Sequence, residues 1–259
     1  MGGGFIQSNR ILTNDLHIHG CCIIFATIVI TRVLILGIMK LYHGSISIID
    51  KPELGKGNLK NDYGLGLYCT EHIELAKEWA CSTGKDGFVN AYVLDTNSLS
   101  VCDLTQSHIL NWMAILLENR IFDLSASVAS AARDYILATF LPDYKEYDVI
   151  RGYRADDSYF SFAKDFLNNS LSLEELSKAM KLGKLGEQVV LKSEKAFKAL
   201  SFQESIPVDC SIYYPKWKSR DFKARQGYKE IKDKLNPLEG TYILDIIRQQ
   251  WRNDDERLR

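Results

Sequence analysis

The order of strand-like and helix-like segments constrains the fold of this chain more than any other feature of its sequence. Segments rich in β-branched and aromatic residues alternate irregularly with segments that carry apolar residues at helical spacing. A doubly wound parallel sheet would need a regular strand, helix, strand cadence, which this sequence lacks. The order therefore predicts an α+β domain, and the 46% hydrophobic and 25% charged residues are those of an ordinary globular protein.

Seven strands are predicted from runs of β-favouring residues that end at turn residues. They are Lys40–His43, Leu65–Cys69, Phe88–Leu94, Leu99–Asp103, Tyr147–Gly152, Glu187–Lys192 and Leu200–Val208. Six helices are predicted from apolar periodicity. The first helix begins after Thr70, which is its predicted N-cap. The other five cover Ser107–Asn119, Ser127–Phe140, Tyr159–Leu167, Leu171–Leu182 and Trp217–Leu235. Ser172 and Glu175 have the spacing of a capping box, which marks the start of the fifth helix.

The first 38 residues differ from the rest by a long apolar run. Cys21 to Met39 read CCIIFATIVITRVLILGIM, which is close to the roughly 20 residues that span a bilayer. Arg32 interrupts the run, at a cost of about 3 kcal/mol on insertion scales. Two interpretations stay open, a membrane segment or a wrongly assigned start with the true start at Met39, and we favour the second. Residues 1–38 are therefore treated as an extension of a domain over 39–259.

Charge and cysteine content argue against several classes of protein. The 32 basic and 33 acidic residues nearly cancel, so net charge indicates no general affinity for nucleic acid or anionic membranes. Six cysteines are scattered without CxxC spacing, which argues against a zinc ribbon and a dense disulfide framework. His17 and His19 beside Cys21 and Cys22 lack zinc-ligand spacing, so no metal is predicted. We expect a cytoplasmic protein that contacts a membrane only if residues 21–38 are translated and inserted.

Positive charge is concentrated near the C-terminus. Between Lys216 and Lys234, eight basic and three acidic residues give a net charge of +5 on a predicted helix. The helix carries an apolar stripe of Trp217, Ala224, Tyr228, Ile231 and Leu235. Such a helix is usually solvated on its charged face, but that face could also guide a nucleic acid or an acidic protein partner.

Three stretches place polar, aromatic and glycine residues where a core strand would have aliphatic ones. They are YHGS at 42–45, NDYGLGLYCT at 61–70 and GEQVVLK at 186–192. In the first, Gly44 permits close backbone approach to a ligand and His43 can donate or accept a hydrogen bond. In the second, a tyrosine ring could stack on a flat ring that carries positive charge. Each has a plain structural alternative: a strand-end histidine, a turn and a solvated carboxylate.

No Walker A, GxGxxG or HExxH motif is present, so phosphate-loop, dinucleotide-fold and zinc-protease functions have no support. Together the three stretches resemble the ADP-ribosyltransferase pattern, in which a His near the first strand, a Tyr on a later strand and a Glu near a late strand surround NAD. YHGS, NDYGLGLYCTEHIELAKEWA, DVIRGYRADDSYFSFAKDFL and EQVVLKSEKAFKALSF look more closely like an uncharacterised bacterial family related to those transferases. The resemblance covers about residues 39–242 and implies a split β-sheet core with flanking helices and a helical C-terminus.

The resemblance implies that NAD is the co-substrate and that the first stretch binds it. His43 would hold the ribose next to the nicotinamide. The backbone of Gly44 would bind the carboxamide, and Ser45 follows in the same binding segment.

The other two stretches would complete the NAD site by the same resemblance. Tyr68 would stack on the nicotinamide ring, with help from Tyr63, and Gly66 lies between these two in the binding segment. Glu187 would bond the ribose hydroxyl and stabilise the developing cation as nicotinamide leaves. Breaking this glycosidic bond creates an oxocarbenium-like centre, and glycosidases place carboxylates near similar charge.

The late strand departs from the transferase pattern in one respect. The transferase motif requires the acid, whereas the bacterial family stresses the glutamine, here Gln188. Successive strand residues point to opposite faces, so only one of Glu187 and Gln188 can face NAD. If Gln188 faces it, activity is reduced, altered or supported by another acid. Asp156 and Asp157 are candidates beside Arg154, whose guanidinium could bind a diphosphate, although these residues equally fit an ion-pair loop with a helix cap at Asp157.

The leading functional hypothesis is an NAD-dependent ADP-ribosyltransferase that cleaves the nicotinamide–ribose bond and modifies a macromolecule. The acceptor, protein or nucleic acid, stays undecided. The resemblance also suggests the toxin of a toxin–antitoxin or phage-defence pair, with an antitoxin as a further partner. The alternative is a non-catalytic module on the same fold that binds a nucleotide or a partner, and a membrane-anchored version of either stays open.

Overall fold

The computed structural model describes residues 37–155, 157–180, 182, 186–236 and 238–258. Most of the apolar run lies outside the described residues, as do His17, His19 and Asp156. The chain divides into two units between Ile38 and Met39, and nearly all of the described residues belong to the second, Met39–Arg259. Within the described part of the chain, no helix is both long and apolar enough to cross a lipid bilayer.

The domain is α+β, as predicted, with two small sheets and eight α-helices among the described residues. The strands are β1 Ile38–Ser45, β2 Leu67–Cys69, β3 Gly87–Asp95, β4 Val101–Asp103, β5 Val149–Tyr153, β6 Glu187–Leu191 and β7 Leu200–Val208. The helices are α1 Ile73–Ala80, α2 Ile109–Asn119, α3 Ser127–Phe140, α4 Asp157–Leu167, α5 Leu173–Ala179, α6 Glu194–Lys198, α7 Cys210–Asp233 and α8 Ile243–Arg248.

The strands form one three-stranded and one four-stranded sheet. The first has the order β1, β3, β7, with β3 and β7 antiparallel, and the second has the order β2, β6, β5, β4. In the second sheet β6 is antiparallel to both β2 and β5, whereas β4 is parallel to β5.

A short backbone bridge joins the two sheets. The N–H of Tyr42 in β1 donates to the carbonyl of Thr70 at 2.8 Å, and the N–H of Thr70 donates to the carbonyl of Tyr42 at 2.9 Å. Thr70 follows β2 directly, so this bridge fixes the C-terminal half of β1 against the end of β2.

Three apolar clusters hold the domain together, and two of them contain most of the buried residues. The larger one surrounds α2, α3 and α4, because Trp112, Phe140 and Phe162 are each about 1% exposed within it. The smaller one collects side chains from both sheets, including the fully buried Leu41 and Leu191. Burial of aliphatic and aromatic side chains on this scale is the main stabilising contribution to a fold of this kind.

The helix boundaries differ from the predictions at several ends. Helix α7 begins at Cys210, seven residues before the predicted Trp217, because Asp209 caps it by accepting the N–H of Ser211 at 2.7 Å. Pro215 lies inside this helix, where it removes one backbone donor without ending the helix.

Caps account for the other differences. The predicted cap at Ser172 is confirmed, since its Oγ accepts the N–H of Glu175. The first helix is capped by His72 rather than by Thr70, whose Oγ1 accepts the N–H of His72 at 3.2 Å. Two short helices, α6 and α8, were not predicted; Ser193 caps α6 and is the signal that would have indicated it.

Candidate functional site

A cleft of about 770 Å³ opens where β1, β2 and β6 meet. Its volume lies within the range of roughly 300–1,000 Å³ that small-molecule sites occupy. Six residues predicted to form the site line it: His43, Gly44, Gly66, Tyr68, Arg154 and Gln188. The fold thus brings together the three stretches that are widely separated in the sequence.

His43 and Tyr68 are linked across the junction of the two sheets. Nδ1 of His43 lies 2.7 Å from the main-chain carbonyl oxygen of Tyr68. A carbonyl can only accept, so Nδ1 carries the proton and Nε2 of the neutral ring is an acceptor. Burial lowers the pKa of His43, and the bond to Tyr68 opposes part of that effect. His43 is therefore a neutral ring with a fixed tautomer.

The Tyr68 hydroxyl both donates and accepts a hydrogen bond, which holds the ring in place. The hydroxyl donates to the Gly64 carbonyl at 2.5 Å and accepts the N–H of Tyr63 at 3.0 Å. The side chain lines the cleft and remains partly exposed. A ring that is fixed at its far end can offer its face to a flat ligand without further ordering.

Of the two residues at the start of β6, Gln188 lines the cleft and Glu187 does not. Glu187 instead pairs through Oε2 with Arg151, at 2.6 Å from Nη2. Arg151 also contacts Glu71, at 3.1 Å. The two side chains diverge because neighbours on a strand point to opposite faces. Of the two residues between which the sequence left the choice open, Gln188 is therefore the one at the cleft and Glu187 lies outside it.

Asp62 is a buried acid that lines the cleft beside Gln188, and the sequence analysis did not single it out. Its Oδ2 accepts the Gln188 Nε2–H at 3.0 Å and the Ala155 N–H at 2.9 Å. Its Oδ1 lies 3.3 Å from Nη1 of Arg120. The residue is 6% exposed and lines the cleft.

Burial and hydrogen-bond donors have opposite effects on the pKa of Asp62. Burial raises the pKa of Asp62, while the Ala155 N–H, the Gln188 amide and the charges of Arg120 and Arg154 act against that rise. Buried carboxylates are kept only where such donors surround them. A signal was available in the sequence, because Asp62 lies within the second stretch, directly before Tyr63.

Gln188 has a defined amide orientation. Its Nε2 faces two groups that can only accept in this arrangement, Asp62 Oδ2 and the Tyr153 carbonyl at 3.2 Å. Its Oε1 is therefore the amide atom that remains as an acceptor. From β6, the cleft thus receives the amide of Gln188 and not the carboxylate of Glu187.

Two guanidinium groups lie at the cleft, each over an aromatic ring. Arg154 lies 4.3 Å from the centroid of Trp79, and Arg120 lies 4.3 Å from that of Phe160. Both arginines line the cleft, although only Arg154 was predicted to. Cation–π contact holds such a fork in one plane, which suits bidentate contact with phosphate oxygens.

The remaining predicted residues lie elsewhere. Tyr63 is 1% exposed in the main core, where its hydroxyl donates to the Tyr153 carbonyl at 2.7 Å, so its ring is not free to stack on a ligand. Ser45 accepts from Nδ2 of Asn90 at 3.0 Å and is not among the lining residues. Asp157 is the first residue of α4, and Asp156 is outside the described residues.

The glycines serve packing as well as the cleft. A Cβ at Gly44 would lie 2.1 Å from the carbonyl oxygen of Ala76, so glycine is required for β1 to approach α1. A Cβ at Gly66 would lie 2.7 Å from the Leu191 carbonyl oxygen. The close backbone approach that these two glycines permit is therefore a contact between segments of the protein.

Two further segments complete the wall of the cleft. The loop after β1 contributes residues between Ile48 and Gly57, and α7 contributes Trp217, Asp221 and Arg225. Buried Glu78 in α1 binds Arg220 of α7 through two contacts of 2.8 and 2.7 Å, which fixes α7 beside the cleft.

One cluster outside the cleft has metal-ligating atoms close together. Asp86, Asp209 and Cys210 place one ligand atom each within 4.8 Å of the others. Their carboxylates already accept backbone N–H groups, Asp86 from Cys210 at 2.8 Å and Asp209 from Ser211 at 2.7 Å. These bonds explain the cluster as part of the α7 cap.

Residues 39–202 match a family described as "Protein of unknown function (DUF3990)". No curated protein and no solved structure matches the chain. The matched residues include every strand-borne side chain of the cleft, whereas α7 follows them in the sequence.

Proposed function

The chain belongs to the DUF3990 family, and we propose that it is an NAD-dependent ADP-ribosyltransferase. The observation that carries the proposal is the convergence on one cleft of His43, Tyr68 and Gln188, which come from the three stretches in which the transferase resemblance places its His, Tyr and Glu. Two small sheets that meet at the bridge between Tyr42 and Thr70 also fit the split β-sheet core that the resemblance implies.

In this proposal His43 and Tyr68 orient the nicotinamide end of NAD. His43 offers Nε2 as an acceptor for a ribose hydroxyl, because its Nδ1 proton is committed to the Tyr68 carbonyl. The Tyr68 ring stacks on the nicotinamide, whose positive charge is attracted by the face of an aromatic ring. Fixing both groups in advance lowers the entropic cost of reaching the reactive pose.

The proposed chemistry at the ribose needs stabilisation of positive charge more than proton transfer. The bond between C1 of the ribose and the nicotinamide nitrogen breaks, nicotinamide leaves with the bonding electrons, and an acceptor nucleophile bonds to C1 and releases its proton. Asp62 supplies negative charge near the oxocarbenium-like centre, and Gln188 Oε1 accepts a ribose hydroxyl. Asp62 thereby replaces Glu187 in the role that the resemblance gives to an acid.

Arg154 and Arg120 are the groups that we assign to the diphosphate. Both line the cleft and both are held against aromatic rings at 4.3 Å. A diphosphate placed between them would be neutralised by two planar forks, the geometry in which arginine binds phosphate best.

The test is nicotinamide release from NAD by the full chain, with and without cell lysate. We expect release that His43→Ala abolishes and Tyr68→Ala weakens, and radiolabel from adenylate-labelled NAD in a macromolecular fraction when lysate is present. No release from protein whose circular dichroism is that of a folded α+β domain would overturn the proposal.

One observation favours a second candidate, a module that binds a nucleotide without cleaving it. Glu187 lies outside the cleft in an ion pair with Arg151, so the cleft lacks an acid at the β6 position. The nicotinamide-release assay separates the two candidates, because a binding module releases no nicotinamide. Calorimetry should then show that NAD binds, and the NAD should be recovered intact.

We propose the cytoplasm as the compartment. Cys69, Cys81, Cys102 and Cys210 are free thiols, which suits a reducing environment.

A further inference from the structure

The first half of α7 carries a dense set of aromatic and basic side chains. Of the eleven residues from Tyr213 to Lys223, four are aromatic, four are basic and one is acidic. We call Tyr214, Trp217, Lys218 and Phe222 the aromatic–basic surface, because their spacing puts them on one face of α7. The segment follows the residues that match the family.

The rings of this surface are partly ordered for stacking. Tyr214 and Trp217 are stacked, with centroids 5.6 Å apart and ring planes inclined by 19°. Nζ of Lys218 lies 4.9 Å from the Tyr214 centroid, so positive charge accompanies the stack. Thr83 donates a hydrogen bond of 2.7 Å to the Tyr214 hydroxyl, which fixes the outer ring.

Exposed apolar and charged side chains belong to this face of α7. Phe222 is 60% exposed and follows Lys218 by four residues, about one helical turn. Lys218 forms no ion pair with any described residue, so its charge is available to an anionic partner.

The surface runs directly into the cleft. Trp217 belongs to both, and Asp221 and Arg225, further along α7, also line the cleft. A polymer lying on the aromatic–basic surface would therefore have a neighbouring unit at the cleft mouth.

We propose that the aromatic–basic surface binds single-stranded nucleic acid and presents it to the cleft as the acceptor of the ADP-ribosyl group; the second half of this statement rests on the proposed function. Proteins that bind single strands combine basic side chains for the backbone with aromatic rings on which bases stack. An acidic protein segment would use the lysines but leave the stacked rings without a matching partner.

The experiment measures fluorescence anisotropy of labelled 20-nucleotide poly(dT) and poly(U) with the full chain, in the absence of NAD. Both strands are expected to bind, and more weakly at 200 mM than at 50 mM salt, because phosphate contacts release counterions. Tyr214→Ala and Lys218→Glu should each weaken binding about tenfold, given roughly 1–3 kcal/mol for one stacked base.

Matched variants separate stacking from charge and from misfolding. Tyr214→Phe keeps the ring and should bind as the natural chain does. Lys198→Glu on α6 makes the same charge change outside the surface and should change binding less than twofold, since Lys198 is an exposed side chain paired with Glu194. Neither Tyr214 nor Lys218 lines the cleft, so nicotinamide release by their variants should equal that of the natural chain.

The outcomes distinguish this proposal from the proposed function. Absence of strand binding with intact nicotinamide release overturns the surface proposal alone. Strand binding without nicotinamide release overturns the transferase and leaves the surface. If poly-glutamate bound as tightly as the two strands and Tyr214→Ala left its affinity unchanged, the surface would be assigned to an acidic protein and the proposal would be overturned.

Discussion

Nε2 of Gln188 donates a 3.0 Å hydrogen bond to Oδ2 of Asp62. This bond fixes the amide, which leaves Oε1 as an acceptor, and it joins the third sequence stretch to the second. It also explains how a buried carboxylate is retained, since the Ala155 N–H and Arg120 contact the same group. Two residues that are 126 positions apart thus form one polar unit.

Asp62→Asn should lower kcat/KM for nicotinamide release about 100-fold, because it removes the negative charge that the cleft offers to a developing cation. The matched variant is Glu187→Gln, whose side chain lies outside the cleft. Its ion pair with Arg151 is partly exposed and contributes about 1 kcal/mol or less, so activity should stay within about twofold. The reverse ranking of the two variants would contradict the assignment of Asp62.

Tyr68→Phe and Tyr68→Ala should separate the hydroxyl from the ring. The Phe variant loses the bonds to Gly64 and Tyr63, which costs about 1 kcal/mol of unfolding free energy, and it keeps a ring for stacking. The Ala variant should raise KM for NAD by at least about tenfold, because stacking on a cationic ring is lost. Urea unfolding and steady-state kinetics on both variants measure the two effects, and equal KM values would refute a stacking role.

The stability of the protein should fall as pH decreases from 7.5 to 5.5. Burial lowers the pKa of His43 and of His108 from the ordinary value of 6.5. Below about 6.5 the unfolded chain therefore binds protons that the folded chain does not, so the free energy of unfolding decreases by up to about 1.4 kcal/mol per histidine and pH unit.

Urea unfolding at the two pH values measures this dependence. His43→Gln and His108→Gln should each reduce the pH dependence of the free energy of unfolding. His72→Gln, a substitution at an exposed side chain, is the control and should leave that dependence unchanged. A dependence that survives both buried substitutions would show that other groups cause it.

Gly44→Ala should destabilise the domain by about 3 kcal/mol, because the new methyl group would lie 2.1 Å from a backbone oxygen of α1 that cannot move alone. Gly55→Ala is the control. At Gly55 nothing lies within 4 Å, and only its φ of +91° opposes a side chain, at a cost of about 1 kcal/mol. Thermal unfolding of both variants gives the comparison, and equal losses would mean that β1 and α1 can separate.

The fold class and most strands were predictable because they depend on local patterns. β7 spans Leu200–Val208 and α3 spans Ser127–Phe140, as predicted from runs and periodicity alone. The start of α7 was missed because Pro215 reads as a helix breaker, whereas the Asp209 cap outweighs the one donor that proline removes.

The candidate site was predictable only in part, because sequence gives residue types but not the face of a strand. His43, Tyr68 and Gln188 were singled out by their unusual stretches, and the structure places them together. The choice between Glu187 and Gln188 needed the register of β5 and β6, in which Gly152 pairs with Gln188. Asp62 lies within the second stretch, but it acquires its setting from donors more than 50 residues away, such as Arg120 and Ala155, so the stretch alone did not mark it as part of the site.

The ion pair between Glu78 and Arg220 means that the family boundary at residue 202 is not a boundary of folding. A polypeptide cut there would divide β7, leave a carboxylate that is 4% exposed without its cation, and strip Trp217 and Arg225 from the cleft. The shared segment and the helix after it are therefore one cooperative body. We expect the helix to set which large molecules can reach the cleft.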